Sequence, residues 1–93
     1  MSDTWLMVRG LPFMEPYERS ALGEEVEEKI PSLKCFGGGT DLNGSMNEDK
    51  WRSDVDFQVA EDAEVDGENL VAKVTEFLNQ KYEGFSVRLR TAT

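Results

Sequence analysis

Alternation of apolar and polar residues is clearest in residues 51–60, where the chain reads WRSDVDFQVA. The apolar residues of this segment share one parity: Trp51, Val55, Phe57 and Val59. The polar residues share the other: Arg52, Asp54, Asp56 and Gln58. Only Ser53 interrupts the alternation. A period of two is typical of a strand with one buried and one solvated face, so we predict a strand with Asp54 and Asp56 on its solvated side.

Three other segments also favour strands. Residues 4–9 (TWLMVR) form a short apolar run that stops at a turn beginning with Gly10, which is typical of a buried central strand. Residues 32–42 (SLKCFGGGTDL) begin apolar and contain three glycines, which indicates an irregular edge strand that forms a hairpin with residues 51–60. Residues 85–90 alternate again and place Arg88 and Arg90 on one face.

Two segments have the four-residue spacing of helices. Between Pro16 and Pro31 the apolar positions are Leu22, Val26 and Ile30, and acidic residues occupy the other side. Residues 68–82 carry a stronger apolar stripe: Leu70, Val71, Val74, Phe77 and Leu78. We predict a helix over each segment, with the acidic side of the first helix in water.

The predicted order is strand, helix, strand, strand, helix, strand in one domain over residues 1–93. This order indicates an α+β domain of the ferredoxin-like βαββαβ type with right-handed crossovers. Its antiparallel sheet has the strand order 4-1-3-2, and both helices cover one face. Asp54 and Asp56 would then lie on the uncovered face of a central strand, and Arg88 and Arg90 on the same face of an edge strand.

Composition limits the function more than it identifies it. The chain has 93 residues and a net charge of −9, from 19 acidic and 10 basic residues. A domain of this size has one thin core, which disfavours a deep internal active site. The negative charge repels nucleic-acid phosphates and anionic membranes, and it favours a basic protein as the partner.

The scarcity of cysteine and histidine excludes several chemistries. Cys35 is the single cysteine and the chain has no histidine, so neither an intrachain disulfide nor a Cys or His catalytic triad can form. We therefore expect a protein that is not an enzyme and that holds no metal or cofactor. A lone thiol, an amino terminus without a basic region and the lack of an apolar run of about 18 residues indicate a cytoplasmic protein.

The segment VRGLPF, residues 8–13, resembles the first-strand motif of RNA-recognition modules. The resemblance covers six residues and implies bases stacked on the uncovered sheet face. The second motif of those modules is rich in aromatic residues, and here its position is occupied by RSDVDFQV. Asp54 and Asp56 on that face would repel RNA, so the RNA-binding interpretation is a further alternative.

The segments CFGGGTDLNG and SDVDF together resemble the minimal nucleotidyltransferase pattern. The resemblance implies that Asp54 and Asp56 hold divalent metal ions on a nucleotide triphosphate while Gly37–Gly39 approach its phosphates. The family's serine after the glycine pair and its third carboxylate on a later strand are both absent from this chain. A magnesium and nucleotide site is therefore the first alternative.

The leading interpretation is a small acidic protein-binding module that acts as an inhibitor or regulatory partner, by analogy with immunity proteins. A negative field speeds encounter with a basic partner, and a few anchors then set the residence time. The expected contact residues are Arg52, Asp54, Asp56, Glu61, Asp62, Glu64, Asp66, Arg88 and Arg90. A homodimer formed through the same face or the edge strand at residues 34–40 is a competing use.

Overall fold

The computed structural model describes residues 4–60 and 67–91 of the chain. Its elements, in chain order, are β1 (Thr4–Pro12), α1 (Pro16–Lys29), β2 (Leu33–Asp41), a short 3₁₀ turn (Glu48–Lys50), β3 (Arg52–Val59), α2 (Gly67–Asn79) and β4 (Ser86–Thr91). The order of helices and strands predicted from the sequence is confirmed. The acidic contact residues Glu61, Asp62, Glu64 and Asp66 lie outside the described residues.

The four strands form one antiparallel sheet in the order β2-β3-β1-β4. This is the predicted order 4-1-3-2 counted from the opposite edge, and it confirms an α+β domain with four antiparallel strands and two helices. The hairpin predicted between β2 and β3 is present as an antiparallel pair. β1 and β3 are therefore central, and β2 and β4 are the edges of this sheet.

Both helices contribute to a single hydrophobic core against one face of the sheet. The buried apolar residues of the sheet include Leu6, Val8, Leu11, Leu33, Val55, Phe57 and Val59. Those of the helices are Leu22, Val26, Leu70, Val74 and Leu78. Burying one such side chain stabilises the fold by roughly 1.5–3 kcal/mol, so this layer accounts for most of the driving force. The helical apolar positions are those that the sequence spacing predicts.

The first strand is longer than predicted, because it passes through a bulge instead of ending at Arg9. Val8 lies opposite Val55 and Leu11 lies opposite Ser53, so β1 uses one residue more than β3 over this interval. Gly10 has φ +82°, a conformation that glycine adopts without steric cost. The extra residue returns Leu11 to the core, where it is fully buried.

The second strand keeps its glycines within the sheet. The irregularity predicted for the glycine segment is a register shift between Cys35 and Gly37, and Gly37, Gly38 and Gly39 are all paired with β3. A Cβ at Gly38 would lie 2.2 Å from the carbonyl oxygen of Asp54. Close approach of the two backbones therefore requires glycine at position 38.

The second helix begins one residue earlier and ends three residues earlier than predicted, at Gly67 and Asn79. After Asn79 the backbone N–H groups of Lys81 and Tyr82 both donate to the carbonyl of Leu78, at 2.9 and 2.8 Å. Both bonds satisfy the carbonyl of Leu78, and the chain leaves the helix in a turn. Gly84, at φ +75°, then redirects the chain into β4.

Candidate functional site

The sheet face opposite the helices, called the open face from here on, carries the candidate site. Strand pairing and alternation place these residues on it: Trp5, Met7, Arg9, Lys34, Gly37, Gly39, Asp41, Arg52, Asp54, Asp56, Gln58, Ser86, Arg88 and Arg90. Asp54 and Asp56 therefore lie where the alternation of β3 predicts. No described helix packs on this face, because both helices join the core on the other side.

The two aspartates share an arginine that sequence reasoning missed. The Arg9 guanidinium donates from Nη1 to Asp56 Oδ1 at 2.7 Å, and its Nε lies 3.9 Å from Asp54 Oδ2. All three side chains are half-buried. Arg9 has the same parity in β1 as Trp5 and Met7, which places it on the open face beside β3. The pair is thus partly neutralised within the chain.

Asp54 has a perturbed acidity. Partial burial raises the pKa of its carboxyl above the ordinary value, and the nearby carboxylates of Asp41 and Asp56 act in the same direction. The Arg9 guanidinium and a backbone hydrogen bond from Gly10 act in the opposite direction and do not cancel the effect of burial. The folded state therefore disfavours the ionised form of Asp54 relative to the unfolded chain.

An aromatic pair spans β3 on the open face. The Trp5 ring on β1 and the Phe36 ring on β2 contact edge to face, with centroids 4.8 Å apart and an angle of 87° between their planes. Edge-to-face contact is a favoured aromatic geometry. The Phe36 side chain is nevertheless 66% exposed. A large apolar ring is thus held in a defined position and remains available for contact.

A hollow of about 300 Å³ lies beside this aromatic pair. Trp5 and Met7 of β1 give it apolar walls, and Asp56 and Arg90 give it one acidic and one basic group. Apolar walls with a few charged groups are typical of a pocket that accepts a side chain of another molecule. The hollow brings together two of the residues that the sequence singled out, Asp56 and Arg90.

The charge of the open face differs from that of the whole chain. Its acidic side chains are Asp41, Asp54 and Asp56, and its basic side chains are Arg9, Lys34, Arg52, Arg88 and Arg90. Five basic and three acidic side chains give this face a charge of +2. Because the whole chain has a net charge of −9, the residues outside this face together carry −11. The acidic field predicted from composition thus originates outside the open face.

The other predicted arginines occupy separate parts of the open face. Arg52 begins β3 and donates from Nη1 to the backbone carbonyls of Asp49 and Trp51, at 3.0 and 2.8 Å. Arg88 and Arg90 are exposed on β4, opposite Met7 and Trp5 respectively. Arg52 therefore contributes to the loop before β3, whereas Arg90 lines the hollow.

Three residues of β1 were missing from the sequence-based site: Trp5, Met7 and Arg9. The segment TWLMVR was interpreted as a buried central strand with no contact residues of its own, but these three residues alternate with the core residues Leu6 and Val8. The alternation along β1 therefore indicates the open face, but the apolar character of Trp5 and Met7 makes the alternation hard to recognise in the sequence. Phe36 gave no such signal, because its orientation depends on the register shift in β2.

The glycine segment lies next to the two aspartates, as the nucleotidyltransferase resemblance implies. Gly37 pairs with Asp56 and Gly39 pairs with Asp54, and a Cβ at either glycine would meet no atom within 4 Å. The glycines are strand residues, however, and no helix begins at them. Within residues 4–60 and 67–91 no cluster of three or more His, Cys, Asp or Glu side chains is arranged for a metal ion.

Known families give no guide to this chain: it matches no family model, no curated protein and no solved structure. Across the described ranges, none of the helices has the length and apolar character needed to cross a bilayer. Functional inference therefore depends on the geometry of the open face.

Proposed function

We propose that this chain is a non-enzymatic protein-binding module that acts as an inhibitor or regulatory partner and binds through the open face. The observation that carries the proposal is the exposed Phe36 ring, held against Trp5 beside a hollow of about 300 Å³. An apolar anchor in a fixed orientation costs little entropy when a partner binds.

The composition of the open face suits a protein interface. Binding energy in such interfaces is concentrated in a few residues, and aromatic residues and arginine are enriched among them. Here Trp5 contacts Phe36 and lines the hollow together with Arg90 and Met7, and the Met7 side chain adds an adaptable apolar surface. Asp56 adds a charged group beside these anchors. The net charge of −9 of the whole chain opposes the approach of nucleic-acid phosphates, which favours a protein as the partner.

The division of charge suggests how a partner is recognised. The chain has a net charge of −9, so its field attracts a basic protein over a distance and raises the association rate. Asp54 and Asp56 already pair with Arg9, so they contribute less to direct contact than composition alone predicts. In this proposal the acidic residues govern the rate of encounter, and the aromatic residues govern the lifetime of the complex.

We also propose that the arrangement is ferredoxin-like and that the protein works in the cytoplasm. The strand and helix order and the sheet order β2-β3-β1-β4 support the fold assignment. The lone cysteine of the chain supports a reducing compartment. In this fold, the sheet face that the helices leave open is the natural surface for a second molecule.

A pair of matched variants tests the proposed surface. Phe36→Ser removes the exposed aromatic ring of the open face, and Tyr17→Ser removes one of similar exposure, 74%, from α1. The wild-type chain is used to isolate its partner from the native host, and the purified partner is titrated against each variant by calorimetry. We expect Phe36→Ser to weaken binding by about thirtyfold, the size of a hot-spot loss, and Tyr17→Ser to change it less than threefold.

Two results would contradict the proposal. If both folded variants bind the partner with the wild-type affinity, the open face is not the contact surface. If the chain isolates no protein but gains thermal stability from magnesium with a nucleotide triphosphate, the nucleotide interpretation replaces the protein-binding one. Far-ultraviolet circular dichroism of each variant confirms that binding is compared between folded chains.

A further inference from the structure

The hollow of the open face has one acidic and one basic side chain, and only the acidic one is paired. Asp56 accepts a hydrogen bond from the Arg9 guanidinium at 2.7 Å. Arg90 is exposed, and its guanidinium forms no ion pair or hydrogen bond with any of the described residues. Within the described part of the chain, the charge left unpaired at the hollow is therefore positive.

Strand order and register fix Arg90 beside the apolar wall of the hollow. β1 lies between β3 and β4, so Asp56 and Arg90 flank it on opposite sides. Trp5 lies directly opposite Arg90 in the pair of β1 with β4. The Cβ atoms of directly opposed residues are about 4.5–5.5 Å apart, so the Arg90 side chain begins next to the indole ring. The half-buried Trp5 and Met7 side chains therefore present an apolar surface beside an unpaired cation.

The size of the hollow and its two kinds of wall select the chemistry of the group that enters. Its volume of about 300 Å³ is at the lower limit of pockets that hold small organic groups, which is more than a single simple ion needs. Apolar walls alone would favour an uncharged group, and an arginine alone would favour any anion. Together they favour a carboxylate that is attached to an apolar group.

The division of charge over the chain indicates where this carboxylate comes from. The open face has a charge of +2, whereas the residues outside it carry −11. A free acidic molecule is repelled by the second charge before it reaches the first. A predominantly basic protein is attracted over a distance, and it can present one acidic side chain to the basic open face. The carboxylate therefore belongs to the protein partner.

We propose that the hollow binds an acidic side chain of the protein partner, next to an apolar side chain, through an ion pair with Arg90. The proposal rests on the proposed function, because it uses the same face and names the partner's chemistry. The apolar side chain packs on Trp5 and Met7. The planar guanidinium of Arg90 matches the two oxygens of a carboxylate. Asp56 repels the carboxylate from the other side and so directs it toward β4.

The test uses two dipeptides that differ only in the charge of one side chain: N-acetyl-leucyl-glutamyl amide and N-acetyl-leucyl-glutaminyl amide. Each is titrated at pH 7 and constant ionic strength into the full chain, which carries ¹⁵N and methionine methyl ¹³C labels for NMR. We expect saturable shifts at the Met7 methyl group and the Trp5 indole N–H. The methyl group of Met46, which is 96% exposed and outside the hollow, should show none. The glutamyl peptide should bind about fivefold more tightly, the upper range for a partly exposed ion pair.

The ratio of the two affinities isolates the ion pair, because the leucyl contacts are common to both peptides. Arg90→Gln should reduce the ratio to about one. Arg88→Gln removes a positive charge from the same strand and the same face, but Arg88 does not line the hollow. This matched control should keep the ratio within about twofold of the wild-type value. Arg90→Lys should keep part of the ratio, since it preserves the charge and loses the planar fork.

Three outcomes would each overturn the proposal: no saturable shift at Met7 or Trp5 with either peptide, equal affinity of both peptides for the wild type, or an unchanged ratio in Arg90→Gln. These outcomes differ from a failure of the proposed function, which the Phe36→Ser titration detects. If Phe36→Ser weakens partner binding but the peptides are not distinguished, protein binding stands and the carboxylate assignment is wrong. If the peptides are distinguished but Phe36→Ser and Arg90→Gln bind the purified partner normally, the hollow accepts carboxylates and the partner binds elsewhere, which contradicts both proposals.

Discussion

The hydroxyl oxygen of Ser53 accepts a hydrogen bond from the backbone N–H of Met14 at 2.8 Å. Ser53 is fully buried and Met14 is 5% exposed, so water cannot replace this bond. Ser53 lies on the core side of β3, opposite Leu11, and it connects the central strand to the segment between β1 and α1. The one polar residue that interrupts the apolar parity of β3 thus satisfies a donor that no strand or helix pairs.

Ser53→Ala should destabilise the chain by about 1–3 kcal/mol, because it leaves the buried N–H of Met14 without an acceptor. The free energy of unfolding from urea titration gives the measurement. Ser86→Ala, which removes an exposed hydroxyl from β4, serves as the control and should change stability by less than about 0.5 kcal/mol. Equal effects of the two substitutions would show that the Ser53 bond contributes nothing of its own.

Asp56 and Asp54 should respond differently to the same substitution. Asp56→Asn weakens the 2.7 Å contact with Arg9 and should cost about 0.5–1 kcal/mol at pH 7, since the pair is partly exposed and screened. Asp54→Asn removes a carboxylate that burial disfavours and should be neutral or slightly stabilising. A double-mutant cycle with Arg9→Gln should assign the coupling mainly to Asp56. A larger loss for Asp54→Asn would contradict this assignment.

The raised pKa of Asp54 also predicts a pH dependence. The folded chain binds this proton more tightly than the unfolded chain, so the contribution of Asp54 to stability rises as pH falls from above its folded pKa to below 3.8, its ordinary value. Urea titrations between pH 7 and pH 3 measure the effect as the difference between wild type and Asp54→Asn. The free energy of unfolding of the wild type should increase relative to that of Asp54→Asn as the pH falls. A relative decrease at low pH would mean that attraction to Arg9 outweighs burial and lowers the pKa of Asp54.

Adjacent glycines of β2 should tolerate substitution very differently. Gly38→Ala places a methyl group against the carbonyl of Asp54 and must separate β2 from β3, so we expect a loss of at least about 2 kcal/mol. Gly39→Ala meets no atom within 4 Å and should be neutral or stabilising by up to about 1 kcal/mol. Thermal unfolding of the two variants makes the comparison. Similar melting temperatures would show that β2 moves freely away from its neighbour.

Much of the architecture follows from short-range patterns in the sequence. Leu22 and Val26 repeat at helical spacing and are buried in α1, and Val55 and Phe57 alternate and are buried in β3. These periods act locally, because side-chain direction depends on 3.6 residues per turn in a helix and two in a strand. Strand order also followed from the sequence, once the succession of elements was recognised. The helix end at Asn79 did not, because local hydrogen bonds to Leu78 decide it.

The candidate site shows where the sequence pattern is insufficient. Asp54 and Asp56 were assigned to the solvated face of β3 by parity, and the structure places them there. Their partner Arg9 comes from a strand 45 residues earlier than Asp54 in the sequence. Alternation places Arg9 on the same face as Trp5 and Met7, but it does not show which residues of a distant strand lie beside it, because strand register decides that.

The sequence by itself determined the helices, the strands, their buried sides and the net charge, because each of these depends on residue type and local spacing. Only the tertiary structure decided that Trp5 meets Phe36 across β3 and that Arg9 pairs with Asp56. The physical reason is that these relationships join residues distant in the chain. Strand register and two backbone irregularities set their distances, and neither has a periodic signal in the sequence.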